Sequence, residues 1–165
     1  MKIYFIRHTE TEWNKKDICQ GWKNSNLTKK GKKDAGRIGK KLKNKKIEII
    51  FSSDLGRCLE TSKIINKFLN VKIVKNKKLR ERNFGRLNGK NSKIFMKELD
   101  ITNLKLRAPN GESINDMKKR VLDFIKSLSK KKYDCVLIVS HYGPMKIVED
   151  EFRKKSNGGF LFVEV

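Results

Sequence analysis

The chain has 165 residues, 37% of them apolar and 36% charged, with 41 Lys+Arg against 18 Asp+Glu for a formal net charge of +23. That length suits one domain over 1–165 with a core large enough to need no disulfide staples, and the apolar share excludes a disordered chain. No run nears the ~18 apolar residues of a membrane span, and Cys19, Cys58 and Cys135 stand too far apart for a paired-cysteine zinc site.

Ile3–Ile6 is a short, continuously apolar run, as in a strand buried on both faces. It is too short for a signal peptide, and an odd, sparse set of cysteines fits a reducing cytoplasm. Thr28 is an N-cap for a helix over Lys29–Leu42, with Ala35, Ile38 and Leu42 at helical spacing. Ile47–Phe51 is a second strand. Asp54 is the expected cap of a helix over Leu55–Leu69, with Leu55, Leu59, Ile64, Ile65 and Phe68 facing inward. Val71–Val74 is a third strand. Arg82–Lys90, punctuated by Gly85 and Gly89, reads as irregular.

Ser113 caps a long helix that turns Met117, Val121, Phe124, Ile125 and Leu128 inward. Cys135–Val139 is the clearest buried strand. Cys58 and Cys135, each beside apolar positions, belong to the core. A short helix follows Pro144, since proline suits a first helical turn, and Gly158-Gly159 precedes the apolar run Phe160–Val163. Strands alternating with helices predict an α/β fold, a three-layer sandwich with a mainly parallel central sheet flanked by helices.

In such sheets ligands bind beyond the carboxyl ends of the strands. The chain has two histidines, and both sit there: His8 follows the first strand and His141 follows Cys135–Val139. Arg7 adjoins His8, and Arg57 lies in the first turn of the helix after the second strand. Two arginines and two histidines at one sheet edge make an anion site, because guanidinium matches phosphate oxygens bidentately and helix-start N–H groups add to it.

These residues resemble a known family. Arg7-His8-Thr9-Glu10-Thr11-Glu12-Trp13-Asn14 is similar to the R-H-G-x-T-x-x-N opening of the histidine phosphatase superfamily, the phosphoglycerate mutase-like group. Gln20-Gly21-Trp22 with Leu27-Thr28, Ser52–Thr61, Leu79–Gly85, Gly111-Glu112-Ser113 and Val139-Ser140-His141 resemble its later motifs in family order. The resemblance implies that His8 takes the phosphoryl group, and that Arg7, Arg57 and His141 bind the phosphate with help from Asn14. Gln20 and Gly21 would line the substrate site. Glu81 would protonate the leaving alcohol and then activate water.

The chemistry fits that division of roles. A phosphate ester is a dianion, which repels a carboxylate nucleophile but not neutral imidazole, and imidazole is largely neutral at pH 7. Phosphohistidine splits one difficult step into two. Phosphoryl transfer needs mainly positioning and charge stabilisation, which the cationic side chains supply, so the resemblance implies no metal and no cofactor. Thr9 stands where the family has Gly, and a β-branched residue there resists positive φ and crowds the phosphate. Tyr142 stands where Gly follows the second His, and could narrow the pocket or stack on a substrate ring. Asn24, Asn26 and Asn88 are further departures.

Three functions follow as expectations. The first is hydrolysis of a small phosphorylated metabolite. The second is cofactor-dependent phosphoglycerate mutase activity, disfavoured by the short Gly89–Pro109 segment and by the few residues after His141. The third is a non-catalytic polyanion- or RNA-binding protein on the same fold. The net charge motivates it, but the basic clusters Lys29–Lys33, Lys40–Lys46, Lys75–Lys78, Lys130–Lys132 and Arg153–Lys155 are scattered and lack aromatic interleaving. Non-specific polyanion binding is expected in any case.

Overall fold

A computed structural model of the chain describes residues 1–100 and 102–164. The elements in order are β1 (Lys2–Arg7), α1 (Glu12–Lys15), α2 (Lys29–Leu42), β2 (Ile49–Ser52), α3 (Gly56–Leu69), β3 (Lys72–Lys75), α4 (Ser92–Glu98), α5 (Ile114–Leu128), β4 (Cys135–Ser140), α6 (Tyr142–Phe152) and β5 (Phe160–Glu164), with single 3-10 turns at Lys77–Leu79 and Gly85–Leu87. The strands form one sheet in the order β3-β2-β4-β1-β5. The β3-β2-β4-β1 pairings are parallel and β5 runs antiparallel on β1. Among the described residues, no helix is long and apolar enough to cross a membrane.

Successive side chains on a strand point to opposite faces, and the buried strands use both. Ile3, Phe5, Val136 and Ile138 face a core shared with Met117, Val121, Phe124, Ile125 and Leu128 of α5 and with Met145 and Val148 of α6. Ile6, Ile50, Leu137 and Val139 face the other core, closed by Ala35 and Leu42 of α2 and by Cys58 and Ile65 of α3. All six residues of β4 are buried, as its central place between β1 and β2 demands. This is the three-layer sandwich expected from the alternation of elements.

The capping signals divide. Thr28 accepts from Gly31 N at 2.9 Å and starts α2 where expected. Ser113 and Asp116 form a reciprocal capping box at α5. Asp54 does not cap α3, whose N-cap is Leu55 with no side-chain bond. Its carboxylate instead accepts from Arg80 Nε at 2.7 Å and Nη2 at 2.6 Å, since a bidentate guanidinium outcompetes a single backbone N–H. The buried face of α3 also differs from the apolar one expected. It is Arg57, Cys58, Thr61, Ser62 and Ile65, while Leu59, Ile64 and Phe68 are half-buried. Small polar residues there bond backward, Thr61 to Arg57 O and Ser62 to Ser52. α6 begins at Tyr142, with Pro144 its third residue, and α4 carried no sequence expectation.

Candidate active site

β1 and β4 are adjacent and parallel, with Arg7 paired to Ser140, so their carboxyl ends deliver His8 and His141 side by side. The ring centroids lie 5.3 Å apart at 64°. Both residues are buried, His141 completely. Burial first, and then the neighbouring charges of Arg57 and Arg7, hold His8 well below the ordinary imidazole value of 6.5, outweighing a bond to Thr9 O that raises it. Burial and then Arg57, His8, Arg120 and Arg7 depress His141 likewise. Both rings are therefore neutral at pH 7.

The tautomer of His8 follows from its partner. His8 Nδ1 lies 2.9 Å from Thr9 O. A carbonyl only accepts, so Nδ1 carries the proton and Nε2 keeps a lone pair, as a nucleophile requires. His141 Nε2 lies 2.9 Å from Ser53 Oγ, with Cys58 Sγ at 3.4 Å from the same nitrogen. The Ser53 hydroxyl also receives Leu55 N–H at 3.4 Å. Cys58 is a core residue as expected, and burial pushes its thiol up to about 12, so it stays protonated beside His141.

Arg57 is the largest fully buried side chain. Its Nη1 and Nη2 donate to Lys23 O at 2.7 Å and Gly21 O at 2.8 Å, which leaves Nε. Among the described residues, the buried side-chain polar atoms without a hydrogen-bond partner are Arg57 Nε and Arg7 Nε. Arg7 lies 5.7 Å from the centroid of the Tyr142 ring, in cation–π range. Tyr142 is 53% exposed, so it stands at the rim beside Arg7.

Glu81 comes from a different element. Its Oε1 accepts from Arg82 N at 2.9 Å, and its Oε2 accepts from Gly143 N, in the first turn of α6, at 3.3 Å. A Cβ on Gly143 would lie 2.3 Å from Glu81 Oε1, so only glycine lets the carboxylate approach the helix start two residues past His141. The backbone under Glu81 is clamped. Arg120 of α5 donates to Lys78 O at 2.8 Å, Arg80 O at 2.6 Å and Glu81 O at 2.8 Å, and pairs with Glu112 at 2.8 Å. Trp22 Nε1 donates to Glu81 O at 2.8 Å. Arg80 and Arg82 are therefore not ion-paired to Glu81; Arg80 takes Asp54 and Arg82 takes the carbonyls of Glu112 and Leu106.

The remaining sequence-selected residues shape the surrounding loop. Asn14 Oδ1 accepts from Thr11 N at 3.0 Å and Oγ1 at 2.9 Å, capping α1. Gln20 Nε2 donates to Thr11 Oγ1 at 2.8 Å. Gly21 takes φ +50° and turns its carbonyl to Arg57. Thr9 does not need the positive φ expected of glycine there; its N–H and hydroxyl both meet Thr61 Oγ1 at 3.3 Å. Asn24 Oδ1 accepts Arg57 N at 2.8 Å, and Asn88 Oδ1 accepts Trp22 N and Phe84 N. Ser53, Thr61 and Arg120 escaped sequence reasoning. Ser53 and Thr61 lie inside the Ser52–Thr61 motif, so their signal was position; Arg120 carried none.

A family model described as the histidine phosphatase superfamily (branch 1) matches residues 3–160. The chain belongs to this superfamily. Among its relatives, a Hydrogenobacter thermophilus protein named "Putative phosphoserine phosphatase 2" is 31% identical over 155 residues, 89% of this chain and 76% of that protein. A Schizosaccharomyces pombe protein named phosphoglycerate mutase is 35% identical over 159 residues, 84% of this chain and 73% of that one. The solved structure of Bacillus stearothermophilus YhfR superposes with a TM-score of 0.87 at 30% identity, covering 99% of this chain and 91% of that one. Within the histidine phosphatase superfamily, proteins named as phosphatases and as mutases both resemble this chain, so the family supports an enzyme of the phosphatase or mutase type.

Proposed function

We propose that this histidine phosphatase superfamily member hydrolyses phosphomonoesters through a phosphohistidine at His8. The observation that carries the reading is the pair of orphaned guanidinium N–H groups. Arg7 Nε and Arg57 Nε are buried, cationic and unpartnered, and a buried donor without a partner is costly. A phosphate placed beside His8 would satisfy both, with charge-assisted bonds.

His8 Nε2 attacks phosphorus while Arg7 and Arg57 hold the equatorial oxygens, beside the buried ring of His141. The P–O bond to the leaving alcohol breaks as the N–P bond forms. Glu81 gives its proton to the departing oxygen, which is worth about 10²–10⁴-fold for an alkoxide. Water, deprotonated by the same carboxylate, then releases phosphate and restores His8. Release to water rather than return to a bound intermediate is favoured by the short Gly89–Pro109 segment. There the seven-residue α4 packs down through Phe95 onto Leu87 and Ala108. The substrate is a phosphomonoester, the reaction needs no metal, and the protein works in the cytoplasm.

The test is hydrolysis of an aryl phosphate by chelator-treated protein, with and without vanadate, for the natural chain and for His8→Ala. Vanadate-sensitive turnover that vanishes in His8→Ala is expected, with an acid-labile phosphoprotein trapped by quenching. Turnover that survives in His8→Ala overturns the reading. Exchange between phosphoglycerates without net phosphate release would replace hydrolase by mutase.

A further inference from the structure

A groove of about 1300 Å³ opens beside the site and is lined at one end by Arg7 and His8. That exceeds the ~300–1,000 Å³ that suits a drug-sized ligand. It reaches from His8, at the carboxyl end of β1, to Lys45, before the start of β2. It therefore runs the length of a six-residue strand, about 20 Å at ~3.3 Å per residue.

Its two walls differ. One wall is the α2 side, with Lys30, Arg37, Lys41 and Lys45. Their spacings of seven, four and four residues put the helical members on one face. Glu10 and Asp34 engage Lys30 and Arg37, while Lys41 and Lys45 make no ion pair among the described residues. The other wall is aromatic: Tyr4 of β1 with Phe160 and Phe162 of β5. These rings lie at centroid distances of 5.7 Å and 5.0 Å from Tyr4, and Phe162 is 39% exposed. Along the sequence the basic clusters carry no interleaved aromatics; the antiparallel pairing of β5 on β1 brings them across the groove in space.

The groove meets the chemistry at Arg7 and His8, which line its end. Glu81, where the leaving oxygen would depart, touches Gly143 N. Tyr142 precedes it, exposed and stacked on Arg7, and Arg7 N bonds Gly159 O, one residue before Phe160. We infer that the leaving group is the end of a single-stranded nucleic acid. Its terminal phosphomonoester sits at His8, its first base on Tyr142, and the following backbone and bases lie between the α2 cations and Phe160 and Phe162. A positively charged track with aromatic platforms is how sequence-tolerant single-strand binding is built. This inference rests on the phosphohistidine reading. The bond broken joins phosphorus to the terminal ribose or deoxyribose oxygen, which takes the Glu81 proton, and water supplies the oxygen of the released phosphate.

The experiment compares kcat/KM for hexadeoxynucleotides phosphorylated at the 5′ or the 3′ end with that for the matching mononucleotides and for an aryl phosphate. The variants are Lys41→Glu/Lys45→Glu and Phe162→Ser, none of which is catalytic. In the natural chain the hexamer is expected to exceed the mononucleotide by at least tenfold at low salt. Phe162→Ser should lower the hexamer value about 5–150-fold, the range for loss of one base-stacking contact. Lys41→Glu/Lys45→Glu should reduce the log–log salt slope by about 1.4, at ~0.7 per single-strand phosphate contact. The aryl phosphate rate should not change in either. Equal rates for hexamer and mononucleotide, or a hexamer preference untouched by both variants, overturn the inference while leaving the phosphatase standing. Anisotropy of a fluorescent, unphosphorylated hexamer reads the groove without the chemistry: binding lost in both variants supports the strand's place in the groove, and no binding by the natural chain overturns it. A natural chain that scatters as a dimer and becomes monomeric in Phe162→Ser overturns it in favour of a second copy on this face.

Discussion

Gly143→Ala separates the position of Glu81 from its identity. The new Cβ would lie 2.3 Å from Glu81 Oε1 and 2.9 Å from Met117 Cε. Ordinary contact needs about 3.5 Å or more, so the carboxylate must retreat by on the order of 1 Å. A misplacement of that size costs about 10²-fold when it falls on a reacting group. The stability cost is small, because alanine gains up to ~1 kcal/mol of helix propensity over glycine and the Met117 thioether is flexible. The assay is a pair of substrates. An alkyl phosphate, whose leaving alkoxide needs the acid, should lose about 10²-fold in kcat. An aryl phosphate, whose phenolate leaves unaided, should lose far less in the first step, and its burst of phenol should persist while dephosphorylation slows. The melting temperature should move by no more than a few degrees. Equal losses in the phosphorylation step of both substrates, or no loss on either, would refute the assignment of Glu81 as proton donor held by the bare turn at Gly143.

Two further predictions follow from the same framework. Arg120→Lys keeps the charge but loses the planar fork that serves three carbonyls and Glu112; it should cost about 1–3 kcal/mol in denaturant unfolding and lower kcat on the alkyl phosphate roughly 10²-fold. KM should be nearly unchanged, and a KM rise with kcat intact would count against a role through Glu81. His8 and His141 are both held below 6.5 when folded. The unfolded chain therefore binds more protons as pH falls below that value, and their contribution to stability, present above about 6.5, is lost as pH drops toward the folded values. With both titrating, unfolding free energy should fall by up to about 2.7 kcal/mol per pH unit in that window. His8→Asn should roughly halve this slope, and an unchanged slope would show that His8 is not buried neutral.

Much of this was legible because periodicity reports burial directly. The doubly buried strands announced themselves as apolar runs, and the parallel order placed both histidines at one edge. The errors have a common origin in tertiary bonds that outcompete local ones. Asp54 reads as a helix cap, yet Arg80 arrives from 26 residues away and takes both carboxylate oxygens. The inner face of α3 reads as leucine and isoleucine, yet the helix must hold Arg57 against the loop carbonyls of Gly21 and Lys23, so its buried stripe is polar. Arg120 had no signature at all, because one arginine among 41 basic residues has no local pattern. Its significance lies in four partners that meet only after folding.

The departures from the family pattern are compensated within the site. Thr9 carries a β-branched side chain where glycine is usual, but Thr61 supplies a hydroxyl that meets both its N–H and its Oγ1. Neither a positive φ nor an orphaned hydroxyl remains. Asn24 receives the amide of Arg57, and Asn88 receives those of Trp22 and Phe84, so neutral amides hold the loop that grips Arg57 and supports Glu81. Tyr142 leaves the helix start intact because Gly143, one residue later, provides the bare turn that Glu81 needs. The conditions that the proposed chemistry imposes are thus kept: two neutral imidazoles, two buried guanidinium N–H groups without a partner, and a carboxylate on a clamped backbone. What changes is the rim, where the exposed ring of Tyr142 stands beside Arg7. On the proposed mechanism, a change there would act on the leaving group and not on the groups that transfer the phosphoryl.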